Sequence, residues 1–133
     1  FFNVYGERQP LAGDYAPVVG LFFRQKESGE AMTVVGDGLQ TRDYTHVKDI
    51  VEAMFLAGES DDKKIVGELF NLGTGTNHSV LDLVKLTGGE HVHIPARPGE
   101  SRETLADNTK AKTMLGWNPS RKIEDWIEKN RPN

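Results

Sequence analysis

Two arginines and one carboxylate are the side chains with the clearest chemical use in this chain. Arg42 lies in the run GDGLQTRDYTHVKD at 36–49, and Arg97 and Glu100 lie in the later run RPGE. A guanidinium donates to two oxygens at once, so each arginine could hold a phosphate group. A carboxylate could accept hydrogen bonds from the hydroxyls of a polar ligand. Alternatively, either arginine could lie on the surface and form an ion pair with Asp43 or Glu100, with no role in binding.

Two asparagines offer amides to a polar ligand. Asn3 ends a predicted strand and could hydrogen-bond a sugar hydroxyl or a phosphate, or it could satisfy backbone groups at that strand end. Asn71 ends another predicted strand before a glycine turn, where an asparagine often forms an Asx turn. Both asparagines therefore have a binding interpretation and a structural one.

The four histidines raise the question of a metal site. His91 and His93 share one face of a predicted strand, but no carboxylate or cysteine accompanies them at ligand spacing. The sequence therefore does not predict a metal site, and His46 is expected to hold its loop in place. His78 has no predicted role.

The segment 36–49 is the stretch around which the other elements can be placed. Gly36-Asp37-Gly38 follows the apolar run 32–35 and predicts a tight turn after a strand. A short extended piece comes next. Apolar residues at helical spacing, among them Ile50 and Met54, then predict a helix from about 47 to near Gly58. Arg42 would thus lie on a short connection between a strand and a helix.

The remaining pattern predicts strands that alternate with helices, which is typical of an α/β domain with a small sheet. A capping box of Ser79 with Asp82 is expected to open one helix, and Gly116 is expected to close another. Trp117 and Trp126 are expected in the core. Further strands are predicted at 1–4, 68–72 and 91–94, and further helices at 15–26, from 79 to 86, from about 107 to 116, and through 123–127.

Composition narrows the function classes. The 133 residues suffice for one domain with its own core. There is no cysteine, which excludes disulfides and thiolate zinc sites and favours a cytoplasmic origin. A net charge of −4 argues against nucleic acid or an anionic membrane as the main partner. No apolar run approaches the roughly 20 residues of a membrane-spanning helix.

Four motifs in order give the chain a family resemblance. They are FNVYG with Arg8-Gln9 at the start, GDGLQTRDYTHVKD, FNLGTG at 70–75, and RPGE followed by Ala106-Asp107 and Leu115-Gly116-Trp117. The second is similar to the pattern G-x-G-x-Q-x-R-D-(F/Y)-x-H-V-x-D of extended short-chain dehydrogenase/reductases that act on nucleotide sugars. The chain resembles their NAD-dependent epimerase/dehydratase family, above all the UDP-hexose 4-epimerases.

The resemblance implies roles for particular residues. Arg42 and Arg97 would hold the phosphates, Asn3 and Asn71 would reach the substrate, and Glu100 would bind the ribose. The wall around a uracil ring would come from Val18, Phe22, Thr33 and Val35, although composition alone favours core packing for Val18, Phe22 and Val35. Phe1 and Phe2 would pass the nicotinamide of NAD, and they would also pack as ordinary strand residues.

The resemblance also implies a division of labour. Residues 1–133 would be the C-terminal nucleotide-sugar-binding domain of a longer protein, because the Gly-rich turn and the Tyr-x-x-x-Lys of the family's dinucleotide-binding Rossmann half are not in this sequence. The parent would oxidise a UDP-hexose at C4 with NAD, return the hydride to the other face, and form a homodimer. A 4,6-dehydratase, a UDP-glucuronate decarboxylase and a non-catalytic binding or structural fragment remain alternatives. The isolated chain is expected to be inactive.

Overall fold

The protein folds into a small α/β structure. This computed structural model describes residues 1–13 and 16–133. In chain order its elements are β1 (Val4–Tyr5), α1 (Val18–Glu27), β2 (Met32–Val35), β3 (Thr41–Asp43), β4 (Thr45–His46), α2 (Val47–Glu59), a 3-10 turn (Lys63–Ile65), β5 (Asn77–Ser79), α3 (Val80–Thr87), β6 (His91–Ile94), α4 (Thr109–Leu115) and α5 (Ile123–Asn130).

The strands form pairs rather than one continuous sheet. Within the described ranges there are three two-stranded ladders. β1 runs parallel to β4, and β2 runs parallel to β6 with Val35 opposite Ile94. β3 pairs with β5 in the antiparallel sense and places Arg42 opposite His78. The sequence predicted one small sheet, and this detail is wrong. Each described strand is short and pairs with one other strand, so the ladders do not join into a continuous sheet.

The strongest local signals of the sequence are confirmed. The strands predicted at 32–35 and 91–94 are β2 and β6 without a change of boundary. Helix α2 begins at Val47 as expected, and α3 opens with the predicted capping box, in which Ser79 and Asp82 each accept a hydrogen bond from the other's backbone. Helix α4 ends where Gly116 adopts a left-handed φ of 66°. These elements are fixed by short-range chemistry.

Three boundaries differ from the expectations. The strand predicted at 68–72 is wrong, because that segment forms no ladder and only Leu72 accepts a backbone hydrogen bond, from the Phe2 amide at 3.0 Å. The first strand lies at Val4–Tyr5 instead of 1–4. Helix α1 begins at Val18, directly after Pro17, while residue 15 of the prediction lies outside the described residues.

Two hydrophobic clusters hold the elements together. In the larger one Phe22, Phe23 and Met32 from α1 and β2 pack against α3 and α5. In the smaller one the fully buried Trp117 packs against Ile50 and Ala53 of α2 and Ala111 of α4. Trp126 is partly buried at the edge of the larger cluster, where its ring stacks on Phe23 at 5.5 Å.

Helix α1 approaches the preceding loop closely, and a glycine permits this. A Cβ added at Gly20 would lie 2.6 Å from the carbonyl oxygen of Pro10. The glycine that weakens the helical pattern of the sequence therefore has a packing reason. No helix within 1–13 and 16–133 combines the length and the apolar character that crossing a bilayer requires.

Candidate functional site

A cavity of about 700 Å³ opens between the start of α1, strands β2 and β3, and the loop that follows β6. Its volume falls within the range of small-molecule sites, roughly 300 to 1,000 Å³. The residues that line it come from distant parts of the chain. Among them are seven of the nine residues predicted to bind substrate: Asn3, Val18, Thr33, Val35, Arg42, Arg97 and Glu100.

Arg42 is held at the cavity wall by β3. Its Nη1 donates to the carbonyl of Thr41 at 2.9 Å, and its Nη2 donates to Glu100 Oε1 at 3.1 Å. The Arg42 side chain is 14% exposed and that of Glu100 is 35% exposed. The guanidinium is thus paired with Glu100 rather than with Asp43. The pair is partly open to solvent, so an anionic ligand could compete for the guanidinium.

Arg97 lies on the loop after β6 and is exposed. It lines the main cavity and also a smaller neighbouring cavity of about 220 Å³. Val35, Gln40 and Glu100 border both spaces as well. The two cavities are therefore adjacent: Arg97 borders both of them, whereas Arg42 lines only the main one.

The apolar wall of the cavity is built by Val18 of α1 and by Thr33 and Val35 of β2, all of them half-buried. Part of the backbone there already has protein partners. Buried Gln25 accepts from the Thr33 amide at 3.1 Å and donates to Thr33 Oγ1 at 3.0 Å. Buried Gln40 donates to the Val35 carbonyl at 3.0 Å. The Thr33 amide and the Val35 carbonyl therefore already have side-chain partners within the protein.

Asn3 lines the cavity in a strained backbone conformation with φ of 24°. Its Nδ2 donates to the Asp43 carbonyl at 3.0 Å and to Thr104 Oγ1 at 3.3 Å. The amide nitrogen thus satisfies protein groups, as the structural interpretation of this residue anticipated. A binding role for Asn3 stays a prediction.

Four predicted residues lie away from the cavity. Phe22 is fully buried in the larger hydrophobic cluster, and Asn71 is exposed on the segment that forms no strand. Phe1 is 72% exposed. The backbone amide of Phe2 donates a hydrogen bond to the carbonyl of Leu72. The structure does not bring these four side chains to the other candidates.

The histidines are separate from the cavity lining. His46 is buried at the start of α2, where its Nδ1 accepts from the Lys48 amide at 3.1 Å. The rings of His91 and His93 meet edge to face at 5.4 Å, and His93 Nδ1 lies 2.7 Å from the Gly36 carbonyl. In the described part of the chain no three acidic or histidine side chains gather as a metal site would require.

Sequence reasoning missed three residues of the same motif. Buried Asp43 accepts from the amides of Thr74 and Gly75, each at 2.8 Å, and from the Ala106 amide at 3.2 Å. Gln40 borders both cavities. Tyr44 lines the main cavity, and burial raises the pKa of its hydroxyl. The nearness of these three residues to Arg42 in the sequence was the available signal. For Asp43 the partners that reveal its role are distant in sequence.

Comparison with known proteins gives consistent matches. A family model described as GDP-mannose 4,6 dehydratase matches residues 1–130. UDP-glucose 4-epimerase of Mycolicibacterium smegmatis is 37% identical over 96% of this chain and 41% of its own length. The crystal structure of UDP-glucose 4-epimerase from Thermotoga maritima with UDP-glucose is 40% identical, with a TM-score of 0.84 over 96% of this chain and 41% of that one.

A third comparison includes a dinucleotide. UDP-glucuronic acid 4-epimerase from Bacillus cereus, solved in complex with UDP-glucuronic acid and NAD, is 33% identical, with a TM-score of 0.80 over 96% of this chain and 41% of that chain. Other relatives of comparable identity are named UDP-glucuronic acid decarboxylases. The chain spans about two fifths of the length of most of these proteins and matches the C-terminal part of the epimerase structures.

Proposed function

Because the chain belongs to the NAD-dependent epimerase/dehydratase family of extended short-chain dehydrogenase/reductases, we propose that it is the substrate-binding part of a nucleotide-sugar 4-epimerase acting on a UDP-hexose. The observation that carries this proposal is the gathering of Arg42, Arg97 and Glu100 around one cavity, with Arg42 and Glu100 58 residues apart in sequence. Two arginines that line one cavity suit a diphosphate, since each guanidinium can donate to two oxygens.

In this proposal each group at the cavity has one task. Arg42 and Arg97 neutralise the diphosphate, and Glu100 accepts from ribose hydroxyls after the phosphate has taken its place on Arg42. Val18 and Val35 provide apolar contact for the uracil ring. The family relationship and the UDP-sugar complexes of two solved relatives support a nucleotide sugar as the ligand.

The two cavities described above do not include the predicted NAD contacts. These contacts are Phe1 and Phe2, and neither of them lines the main cavity or its smaller neighbour. NAD is a cofactor of the family, as the Bacillus cereus complex illustrates. We assign hydride transfer to parts of a longer protein that this chain does not contain. Turnover of UDP-glucose by the 133-residue chain alone would contradict that division.

A second candidate comes from the relatives rather than from the site. The same cavity would serve a UDP-glucuronate decarboxylase, because relatives with that name match the chain at similar identity. The two enzymes would share the UDP portion of the ligand. Binding of UDP therefore tests what the two have in common, and it separates both from a non-catalytic structural fragment.

Isothermal titration of the purified chain with UDP is the direct test. We expect binding that weakens at least tenfold in Arg42→Ala and in Arg97→Ala, because removing one charge-assisted contact costs about 1.5 to 3 kcal/mol. Arg131→Ala is the matched control, since Arg131 lies outside the cavity and donates to the Leu86 carbonyl. Absence of UDP binding at millimolar concentration, or equal loss in the control, would contradict the proposal.

A further inference from the structure

Glu100 neutralises the guanidinium that the proposed function assigns to phosphate. Both residues line the main cavity, and Glu100 Oε1 accepts from Arg42 Nη2 at 3.1 Å. The other terminal nitrogen, Arg42 Nη1, donates to the Thr41 carbonyl at 2.9 Å. Both terminal nitrogens therefore have protein partners, and one partner is an anion. A phosphate that approaches this guanidinium meets a carboxylate of its own sign, which repels it.

The backbone around Glu100 keeps the carboxylate at the cavity wall. The Glu100 amide donates to the Arg97 carbonyl at 3.4 Å, which closes a turn between the two residues. Two residues further on, the Arg102 carbonyl accepts from the Thr41 amide at 2.9 Å, and Arg102 Nη1 donates to Asp37 Oδ1 at 2.7 Å. The loop that carries the carboxylate is thus attached to β3 and to the turn that follows β2.

The consequences for a ligand depend on what it carries beside its phosphates. Ionised phosphate oxygens are acceptors, so a bare phosphate compound competes with the carboxylate for the guanidinium and gives the carboxylate no donor in return. A ligand with hydroxyls near its phosphates can supply those donors while the phosphate takes the guanidinium. The Glu100 side chain is 35% exposed, so hydroxyls in the cavity can reach it.

We propose that Glu100 determines specificity by selecting against phosphate compounds that lack neighbouring hydroxyls, above all inorganic pyrophosphate. The inference rests on the proposed function, because it assumes that the cavity takes a nucleoside diphosphate. It adds a reason why a cavity lined by two arginines for a diphosphate discriminates against the same diphosphate without a ribose.

Titration of the parent chain and of Glu100→Gln with pyrophosphate and with UDP tests the inference. The substitution removes the charge and keeps an oxygen that can accept from Arg42. Affinity for pyrophosphate should rise about fivefold in the variant, a size typical of a partly exposed charge pair. Affinity for UDP should not rise, because the hydroxyls lose a charged acceptor. The preference for UDP over pyrophosphate should therefore fall at least about fivefold.

Glu103→Gln is the matched control. Glu103 lies outside both cavities, and its Oε1 accepts from Asn77 Nδ2 at 2.8 Å, as a glutamine oxygen can also do. This variant changes the net charge equally and should bind both ligands like the parent. An equal rise in pyrophosphate affinity in the control would attribute the rise to net charge and overturn the inference.

The outcomes distinguish this inference from the proposed function. If the parent chain does not bind UDP, the proposed function fails and the inference fails with it. If the parent binds UDP and Glu100→Gln gains no affinity for pyrophosphate, or gains affinity equally for both ligands, only the selective role of Glu100 is overturned. Circular dichroism checks that the variants fold, and Glu100→Ala is the second variant, in which pyrophosphate affinity should also rise.

Discussion

Asp43 joins the cavity wall to three other segments of the chain. Both oxygens of this fully buried carboxylate accept hydrogen bonds, from the Thr74 amide and hydroxyl on one side and from the Gly75 and Ala106 amides on the other. Its backbone carbonyl accepts from Asn3. The position of Arg42, the preceding residue, therefore depends on the network of hydrogen bonds that Asp43 accepts.

Replacing Asp43 by asparagine should destabilise the protein markedly. The amide nitrogen that this substitution introduces would face backbone N–H donors, so at least one buried group would lose its acceptor, at a cost of about 3 kcal/mol in the free energy of unfolding. Urea unfolding monitored by circular dichroism measures this change. Asp61→Asn is the control, because Asp61 is exposed in the linker after α2 and should leave the midpoint unchanged. An unchanged midpoint in Asp43→Asn would contradict the structural role.

Sequence reasoning found the arginine of this motif but not the acid. Arg42 could be singled out because a guanidinium has few uses besides binding anions or pairing with acids. Asp43 was considered only as a partner for Arg42. The groups that donate hydrogen bonds to its side chain lie 31 to 63 residues away in sequence. No local sequence pattern predicts which distant turn will pack against a given carboxylate.

At the scale of elements, α2 begins on a histidine that acts as a neutral acceptor. His46 Nδ1 accepts from the Lys48 amide, and its ring packs edge to face on Tyr5 at 5.1 Å. Burial lowers the pKa of His46 from its ordinary 6.5, although Glu7 and Asp49 act in the opposite direction. Protonation would remove the acceptor and place a charge in the core.

The stability of the protein should therefore decrease as the pH falls through about 6.5. The unfolded state binds the proton of His46 more readily than the folded state in this window, so the free energy of unfolding rises with pH there. Urea unfolding at about pH 7.5 and about pH 5.5 measures the slope. His46→Asn keeps a capping acceptor that does not titrate, and its slope should be smaller. Equal slopes in the two proteins would contradict the prediction.

Elements with local signals were predictable, and elements that depend on partners were not. The turn at Gly36 to Gly38, the capping box of α3 and the glycine that ends α4 each rest on a few adjacent residues. The segment 68–72 has strand-like composition but lacks a neighbouring strand, and Leu69 is 86% exposed. Strand pairing is a long-range property, which explains why β3 with β5 escaped sequence reasoning.

At the scale of the whole molecule, α2 has an apolar face that is largely exposed to solvent. Ile50 and Ala53 are buried, whereas Val51, Met54 and Phe55 are 43%, 57% and 64% exposed. The spacing i, i+3 and i+4 places these three on one side of the helix. The sequence pattern predicted the helix correctly but not its burial, because periodicity does not say which apolar stripe has a partner in the same chain.

An exposed apolar stripe of this kind should make the isolated chain self-associate. We expect the apparent mass from light scattering to rise with protein concentration. Phe55→Glu should reduce this rise, because it places a charge in the centre of the stripe. Val92→Glu is the matched control, since it introduces the same charge at an exposed position on β6 and should leave association unchanged. If the unsubstituted chain stays monomeric at high concentration, the exposed stripe does not cause association and the prediction is wrong. If both variants reduce association equally, the effect comes from net charge and not from α2.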